Sequence, residues 1–341
     1  MSTIRLGVNG FGRIGRTVVR EFYKRKQEGL YSNIEIVAIN NPGKIDQLAR
    51  LLKYDSLHGK FPAEVKLEGD VLHAGNMKMK MFGQKDPSEI NWSSEKVDIV
   101  IDGTGIFKDK AGLGKHISGT VKKVIMCAPG SDLDGTFVFG INHTDYDAVN
   151  HHIISNASCT TNCLAPVAKV LNDAFGIENG LMTTIHAYTG DQALLDRTHS
   201  DPRRARAAAM SMIPTTTGAA KAVGLVLPEL AGKLDGYAVR VPTPDVSMVD
   251  LTVNLKKAAT KDEINNAMKE ASMGYLKNVL AYEEEPLVSI DFMGNPHSSI
   301  FDPALTNVIG NSAKVVTWYD NEVGFSNRVV DLANYVASKM K

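Results

Sequence analysis

The segment IRLGVNGFGRIG, residues 4–15, determines the fold expected for the first half of the chain. Its apolar start predicts a buried strand, and Gly10, Gly12 and Gly15 follow in the spacing GxGxxG before a helical pattern. Gly10 permits a tight turn, Gly12 lets the backbone approach a pyrophosphate, and Gly15 allows close packing of helix and strand. The segment therefore predicts a dinucleotide site at a helix N-terminus, with a purely structural turn as the alternative.

Strand-like and helix-like segments alternate through the rest of the first half. A helical pattern covers Ile14–Lys26, and short apolar runs predict strands at Ile34–Ile39, Val97–Ile101 and Lys123–Cys127. This alternation is typical of βαβ units, so we expect an α/β, Rossmann-type domain with a parallel sheet.

The second half has longer strand patterns and fewer helices. A helix is expected at Thr260–Ser272, and strands are expected at Gly180–His186, Tyr237–Val241, Val246–Leu255, Leu287–Phe292 and Lys314–Tyr319. These features predict an α+β domain with a largely antiparallel sheet. We expect a last helix, Asn327–Lys341, to pack back on the first domain. The expected division is residues 1–157 with 321–341 for the dinucleotide-binding domain, and 158–320 for the catalytic domain.

The composition favours a globular enzyme of a reducing compartment. The 341 residues include 38 Lys and Arg and 38 Asp and Glu, so the chain lacks the basic surplus that nucleic-acid or membrane-surface binding needs. Cys127, Cys159 and Cys163 are too few for a disulfide framework and form no metal ligand set. The N-terminus lacks a signal-peptide pattern, and no apolar run approaches the roughly 18 residues of a membrane helix. We expect a cytoplasmic enzyme without a metal.

The second predicted strand ends without the acidic residue that usually holds an NAD ribose. Asn41 occupies the position where Asp is expected. A neutral amide can bond a ribose hydroxyl, but it does not repel a 2′-phosphate. Asn41 could also be a simple turn residue before Pro42. The sequence therefore leaves both NAD and NADP open.

A reactive thiol is predicted in the stretch SNASCTTNCLAP, residues 155–166. Small polar residues precede an apolar segment with helical spacing, which places Cys159 at a helix N-terminus, where the dipole lowers a thiol pKa. Cys163 falls further into the helix, where we expect a buried thiol. The alternative for Cys159 is also a buried, inert thiol, although a polar loop is a poor place for one.

A thiolate nucleophile needs a base nearby, and His186 is the candidate. It ends an apolar strand and begins a polar loop, a place where catalytic groups often lie. A structural histidine is an equal alternative from the sequence pattern alone.

These motifs, with others along the sequence, resemble those of phosphorylating glyceraldehyde-3-phosphate dehydrogenase, and the resemblance covers essentially the whole chain. The matching motifs are GVNGFGRIGR (7–16), LLKYDSLHGKF (51–61), SNASCTTNCLAP (155–166), HAYTGDQ (186–192), RRARAAA (203–209), IPTTTGAAKAVG (213–224), RVPTPDVSMVDL (240–251) and WYDNEVGFSNRVVDL (318–332).

The resemblance implies a role for each matching position. Cys159 would be the nucleophile and His186 its acid/base partner, forming a thiohemiacetal and then a thioester that inorganic phosphate cleaves. Residues implied to bind the substrate phosphate or inorganic phosphate are Ser158, Thr160, Thr189, Arg204, Thr217, Gly218 and Arg240. Residues implied to bind the cofactor are Gly10, Phe11, Gly12, Arg13, Ile14, Asn41, Lys85, Thr104, Cys127, Thr198 and Asn321. A homotetramer is also implied, with the segment Gln192–Met212 reaching toward a neighbouring subunit's cofactor.

Two departures from the family pattern favour NADP, used alone or beside NAD. Asn41 replaces an expected Asp, and Arg197-Thr198 stands where NAD-specific members usually carry Leu-Pro. Thr198 could bond a 2′-phosphate and Arg197 could neutralise it. Neutral drift on a loop is the alternative.

Three other functions are weighed against this one. Erythrose-4-phosphate dehydrogenase shares the Cys–His chemistry, but the PTTTGAAK stretch, residues 214–221, fits the inorganic phosphate site of the glyceraldehyde enzyme better. A cysteine hydrolase would need neither the GxGxxG segment nor two phosphate pockets. A non-catalytic cofactor-binding role is the remaining alternative, which could coexist with catalysis.

Overall fold

The first strand and helix form as the glycine-rich segment predicts. Strand β1 covers Ile4–Asn9, and helix α1 covers Arg13–Gln27. Gly10, between them, has a φ of +87°, in the left-handed region that favours glycine. A Cβ on Gly15 would lie 2.0 Å from the Gly10 carbonyl oxygen, so glycine is required for the helix to start this close to the strand.

The structure, a computed structural model, describes residues 3–340 and separates them into two units. The first unit takes in the chain up to Phe137, His143–Ala157 and the chain from Ser326. Its further strands are β2 (Ile34–Asn40), β3 (Tyr54–Asp55), β4 (Gly59–Lys60), β5 (Val65–Glu68), β6 (Val71–Ala74), β7 (Met77–Phe82), β8 (Ile99–Asp102), β9 (Lys123–Met126), β10 (Gly135–Thr136) and β11 (Ile153–Ser155). Its further helices are α2 (Ile45–Lys53) and α3 (Lys110–Gly114).

The main sheet of the first unit is parallel except at one edge. Within residues 3–340 its strand order is β10-β11-β9-β8-β1-β2-β7-β6-β5. All neighbours from β10 to β7 pair in parallel, whereas β6 and β5 pair antiparallel. The chain leaves β1 toward β2 on one side and later fills β8 and β9 on the other. This reversal is the point in such sheets where ligands bind, beyond the carboxyl ends of the strands.

The second unit, Val138–Asn142 and Ser158–Phe325, is built on a mixed sheet. Its helices are α4 (Cys159–Phe175), α5 (Ala219–Val226) and α6 (Lys261–Met273). Its strands are β12 (Ile177–Ala187), β13 (Ile213–Thr216), β14 (Leu234–Val241), β15 (Ser247–Leu255), β16 (Leu280–Tyr282), β17 (Ser299–Ile309) and β18 (Ser312–Tyr319). The order is β13-β14-β12-β15-β18-β17-β16, and only the pairs β12–β14 and β16–β17 are parallel among the described residues. The predicted fold class is therefore confirmed.

The last helix, α7, covers Val323–Lys339 and belongs to the first unit from Ser326 onward. There it bonds to α1: Arg25 Nε donates to Asn327 Oδ1 at 2.9 Å, and Asn327 Nδ2 donates to Glu21 Oε2 at 3.1 Å. Glu21 and Asn327 are buried, so these bonds satisfy polar groups away from water. No helix within residues 3–340 is long and apolar enough to span a membrane.

One predicted strand is wrong, and one long strand was missed. Leu287–Phe292 contains no strand: Ser289–Phe292 is a 3₁₀ turn, closed by Val288 N donating to Asp291 Oδ2 at 2.9 Å. Its alternating apolar residues suggested a strand, but Val288 and Ile290 are exposed and only Phe292 is buried. The missed strand is β17, whose pairing with β18 is interrupted between Asp302 and Asn307. That irregularity hides the alternation that the sequence analysis depended on.

Candidate active site

The turn between β1 and α1 has the shape of a phosphate-binding cradle. Gly12 precedes the first helical residue, and a Cβ built on it would meet nothing within 4 Å. The space above Gly12 is therefore open, and the N–H groups of the first turn of α1 point toward it. This arrangement fits the pyrophosphate of a dinucleotide.

The remaining predicted cofactor residues of the first unit follow the carboxyl ends of adjacent strands. Asn41 follows β2, Thr104 lies shortly after β8, Cys127 follows β9, and Lys85 is exposed beyond β7. Parallel pairing of these strands brings their ends to one edge of the sheet, beside Gly10. The carboxyl ends of β1, β2, β7, β8 and β9 thus lie around one open turn, an arrangement that fits a dinucleotide site.

Two contacts fix the cradle. Phe11 N donates to Asn41 Oδ1 at 2.9 Å, so the side chain at the end of β2 holds the glycine turn. Arg13 forms an ion pair of 2.6 Å with Asp55. Burial raises the pKa of Asp55, but bonds from the His58 and Leu57 amides and from Arg13 outweigh it and lower that pKa to about 2. Asp55 therefore stays charged and holds the Arg13 guanidinium.

Cys159 is the first residue of α4, as its sequence context predicts. Ser158 caps the helix: its Oγ accepts a hydrogen bond of 3.0 Å from Thr161 N. Cys163, further along α4, is fully buried, as expected, and burial raises the pKa of its thiol. The two cysteines of one helix therefore differ in environment.

The sheet brings His186 to Cys159. His186 lies near the end of β12, is buried, and places Nε2 3.5 Å from Cys159 Sγ. β14 pairs in parallel with β12 so that Arg240 is the register partner of His186. Arg240 Nη1 lies 2.7 Å from His186 Nδ1 and donates to Ala187 O at 3.0 Å. The Cys159 thiol, the His186 imidazole and the Arg240 guanidinium are thus in consecutive contact.

Burial opposes charge on both Cys159 and His186. Burial, with smaller contributions from Arg240 and Arg204, lowers the pKa of His186 to about 3, so the imidazole is neutral. Burial also raises the pKa of the Cys159 thiol, against the dipole effect expected from the sequence; Arg240 and hydrogen bonds from Thr160 oppose that rise. The expected net lowering by the helix N-terminus is therefore not what this structure gives, because desolvation is the largest effect.

Tyr319 is a site residue that the sequence analysis missed. Its hydroxyl bonds to Thr160 Oγ1 and to Thr184 Oγ1, each at 2.9 Å, and its ring meets His186 edge-on with centroids 5.9 Å apart. Tyr319 therefore fixes both the residue after the thiol and the face of the imidazole. Its position at the end of β18, just before the predicted Asn321, was the available signal.

Two carboxylates beside Arg204 were also missed. Arg204 Nη1 donates to Asp191 Oδ2 at 2.9 Å, and Arg204 Nε donates to Thr215 Oγ1 at 2.9 Å. Thr215 Oγ1 in turn donates to Asp201 Oδ2 at 2.5 Å. These bonds hold the guanidinium in place, and the carboxylates of Asp191 and Asp201 offset its positive charge.

The predicted residues Ser158, Thr217 and Gly218 lie at two helix N-termini. Gly218 precedes α5, and Ala219 N donates to Thr217 Oγ1 at 3.2 Å. Thr161, in the first turn of α4, bonds through Oγ1 to Ala219 O at 3.4 Å. The starts of α4 and α5 are therefore in contact, and their combined dipoles favour a bound anion.

The other predicted residues of the second unit lie in the segments that follow β12 and β18. Thr189 follows β12 and its N–H donates to Gln192 Oε1 at 3.3 Å. Asn321 Oδ1 accepts from Ser247 Oγ at 2.8 Å, and Ser247 Oγ accepts from Ala187 N at 3.1 Å, which connects Asn321 to the residue after His186. Arg197 and Thr198 are exposed.

Comparison with known proteins agrees with this geometry. Residues 4–110 match the family model "Glyceraldehyde 3-phosphate dehydrogenase, NAD binding domain", and residues 158–321 match "Glyceraldehyde 3-phosphate dehydrogenase, C-terminal domain". Glyceraldehyde-3-phosphate dehydrogenase of Priestia megaterium is 55% identical over 337 residues, which cover 98% of this chain and 99% of the relative. The enzymes of Geobacillus stearothermophilus (98% and 99% covered) and Mycolicibacterium smegmatis (99% and 100% covered) are each 54% identical. The chain therefore belongs to the glyceraldehyde-3-phosphate dehydrogenase family.

Proposed function

We propose that this protein oxidises glyceraldehyde 3-phosphate to 1,3-bisphosphoglycerate, with inorganic phosphate as co-substrate and a nicotinamide dinucleotide as hydride acceptor. The observation that carries the proposal is the row of Cys159, His186 and Arg240, created by the register of β12 and β14 beside the start of α4. A nucleophile, a base and a cation for phosphate are the groups that this reaction needs.

The first step is attack of Cys159 Sγ on the aldehyde carbon. His186 is placed to accept the thiol proton through Nε2 and to give it to the carbonyl oxygen, which becomes the hydroxyl of a thiohemiacetal. When Arg240 turns to the substrate phosphate, Ala187 O, 2.7 Å from His186 Nδ1, holds a proton on that nitrogen and leaves Nε2 free to act as the base.

The thiohemiacetal is then oxidised and cleaved by phosphate. A bound nicotinamide would supply the hydride acceptor for oxidation of the thiohemiacetal to a thioester on Cys159, and His186 would take the hydroxyl proton. Inorganic phosphate attacks the thioester carbon, the carbon–sulfur bond breaks, and the acyl phosphate and the Cys159 thiolate are released.

We assign the two phosphates to different cations. Arg240, whose buried Nε has no hydrogen-bond partner within residues 3–340, would bind the phosphate of the aldehyde together with Thr189. Arg204 would bind inorganic phosphate with Ser158, Thr160, Thr217 and Gly218, at the joined starts of α4 and α5. Each anion would then meet one guanidinium.

Steady-state formation of the reduced cofactor at 340 nm tests the proposal. Cys159→Ser should lower kcat by at least about 10³-fold, because a hydroxyl is a far weaker nucleophile at neutral pH. Cys163→Ser is the matched control and should stay within a few-fold, since its thiol lies among the hydroxyls of Ser299 and Thr317. Substantial activity in Cys159→Ser contradicts the mechanism, and activity indifferent to inorganic phosphate would favour erythrose-4-phosphate dehydrogenase instead.

We further infer that the enzyme accepts NADP. Asn41 offers a neutral amide at the end of β2, and its Oδ1 is already engaged by Phe11 N. An exposed Arg197-Thr198 pair supplies a positive charge and a hydroxyl for a 2′-phosphate. Comparison of kcat/KM for the two cofactors tests this inference, which a strong preference for NAD would contradict.

We also infer a homotetramer, a cytoplasmic location, and the domain division 1–157 with 321–341 and 158–320. Support for assembly comes from exposed apolar side chains in the segment after β12, with exposed fractions of 82% for Leu194, 72% for Leu195, 80% for Met210 and 76% for Met212. Three free cysteines, one of them the nucleophile, suit a reducing compartment.

A further inference from the structure

A buried chain of polar side chains crosses the strand ends beneath the glycine turn of the first unit. Asn40 Nδ2 donates to Asn9 Oδ1 at 2.8 Å, and Asn9 Nδ2 donates to Asp102 Oδ2 at 2.8 Å. These three residues end β2, β1 and β8, which are neighbours in the sheet. Each of them is followed by a segment that lines the open turn. The hydrogen-bonded side chains therefore connect the three segments that form the cradle.

His116 and Trp92 extend this chain from the opposite side. The Trp92 indole N–H can only donate, and it lies 3.1 Å from His116 Nδ1, which must therefore accept. A neutral imidazole with Nδ1 as acceptor carries its proton on Nε2, which faces Asp102 Oδ2 at 3.3 Å. His116 and Trp92 are buried, and the proposed mechanism uses neither of them.

Both ends of this hydrogen-bonded network lead to one carboxylate, that of Asp102. Asp102, which is 1% exposed, accepts from Asn9 and His116 through Oδ2 and from the N–H and hydroxyl of Thr104 through Oδ1, at 3.0 and 2.7 Å. A buried carboxylate held by several neutral donors is stable only while each donor keeps its orientation. The loss of one donor therefore perturbs the ends of all three strands.

We propose that His116, held by Trp92, is a positioning residue for the dinucleotide. By orienting Asp102 it fixes Thr104, shortly after β8, and Asn9, at the end of β1, and so keeps the cradle in its binding shape before the cofactor arrives. The inference rests on the proposed function only in that the first unit binds a nicotinamide dinucleotide. It concerns the affinity for the cofactor and not the chemistry at Cys159.

Two substitutions separate hydrogen bonding from packing. His116→Gln keeps an amide that can accept from Trp92 and donate to Asp102, whereas His116→Met fills similar space with no donor. We expect His116→Met to raise the calorimetric Kd for NAD and NADP about tenfold, as expected for one lost hydrogen bond to a charged group. His116→Gln should recover most of the affinity. In both variants kcat and the KM for glyceraldehyde 3-phosphate should stay within about twofold, because the site at Cys159 does not contain these residues.

Trp92→Phe provides a second test if His116→Met does not fold. It keeps a large ring but removes the only indole donor to His116. The imidazole is then free to place its proton on Nδ1, and Asp102 loses a donor, so the Kd should again rise severalfold. Equal Kd values in wild type, His116→Met and Trp92→Phe would overturn the inference. So would equal weakening by His116→Gln and His116→Met, since that would show a packing role. A wild-type chain that binds no dinucleotide would instead contradict the proposed function, and the inference with it.

Discussion

At the scale of single residues, Asn41 is the position on which the proposed use of NADP depends most directly. Its Oδ1 accepts from Phe11 N, and an aspartate would keep that acceptor. We predict that Asn41→Asp folds normally and lowers kcat/KM for NADP at least about tenfold relative to NAD, because the new carboxylate repels a 2′-phosphate. Steady-state kinetics with both cofactors measure the ratio. An unchanged ratio would show that Asn41 does not face the adenine ribose.

Asp55 gives a prediction for pH. Its folded-state pKa, about 2, lies below the ordinary value of 3.8, so its charge contributes stability at neutral pH, and this contribution is lost as the pH falls from about 4 toward 2. We predict that Asp55→Asn is less stable than wild type at pH 7 and that the difference shrinks below pH 4. Urea unfolding midpoints at one fixed protein concentration test this. A difference that is constant from pH 7 to pH 3 would contradict it.

The sequence indicated the candidate site residues one at a time but not their arrangement. Cys159 was predictable because small polar residues precede an apolar helix, and His186 because a strand ends there. Their 3.5 Å contact depends on how α4 packs on the sheet, which no local pattern records. The register that places Arg240 beside His186, and the hydroxyl contacts of Tyr319, are likewise long-range properties.

At the scale of elements, Gly12 at the start of α1 and Gly15 in its first turn have different requirements. We predict that Gly15→Ala destabilises the protein by several kcal/mol, because its Cβ would lie 2.0 Å from a carbonyl oxygen. Gly12→Ala should keep the wild-type stability, since its Cβ meets nothing within 4 Å, but should weaken dinucleotide binding at least about tenfold by occupying the ligand's space.

Thermal unfolding and calorimetric titration separate the two effects. If Gly12→Ala binds the cofactor as tightly as wild type, the space above this turn is not where the pyrophosphate lies. If Gly15→Ala is as stable as wild type, the helix can shift away from the strand.

Elements defined by strong local signals were predicted well, and elements shaped by irregular pairing were not. β1, α1 and α6 carry glycine or periodicity signals within their own sequences, and the structure adds a cap of α6 by Thr260 and Glu263. β17 contains Asp302-Pro303, where its pairing with β18 shifts, and the alternation is lost there. The apolar alternation of residues 287–292 resembles a strand although the backbone turns.

At the scale of the whole molecule, the exposed apolar side chains after β12 are the surface through which the proposed homotetramer would assemble. We predict that the double variant Leu195→Glu with Met210→Glu dissociates the homotetramer, because each buried interface would then contain unpaired carboxylates. Sedimentation velocity should show species smaller than a tetramer. Ile309→Glu, at a similarly exposed apolar residue on β17, is the comparison variant. A tetramer unaffected by the double substitution would place the contact elsewhere.

The parallel register of β12 and β14 has one more consequence, for folding. Side chains alternate between the two faces of a strand, so a slip of one residue between these strands would turn either His186 or Arg240 to the opposite face. A protein with this register shift could still be compact, but we expect it to be inactive. The specific activity of refolded protein therefore reports the fraction of molecules in which β12 and β14 have paired in the native register.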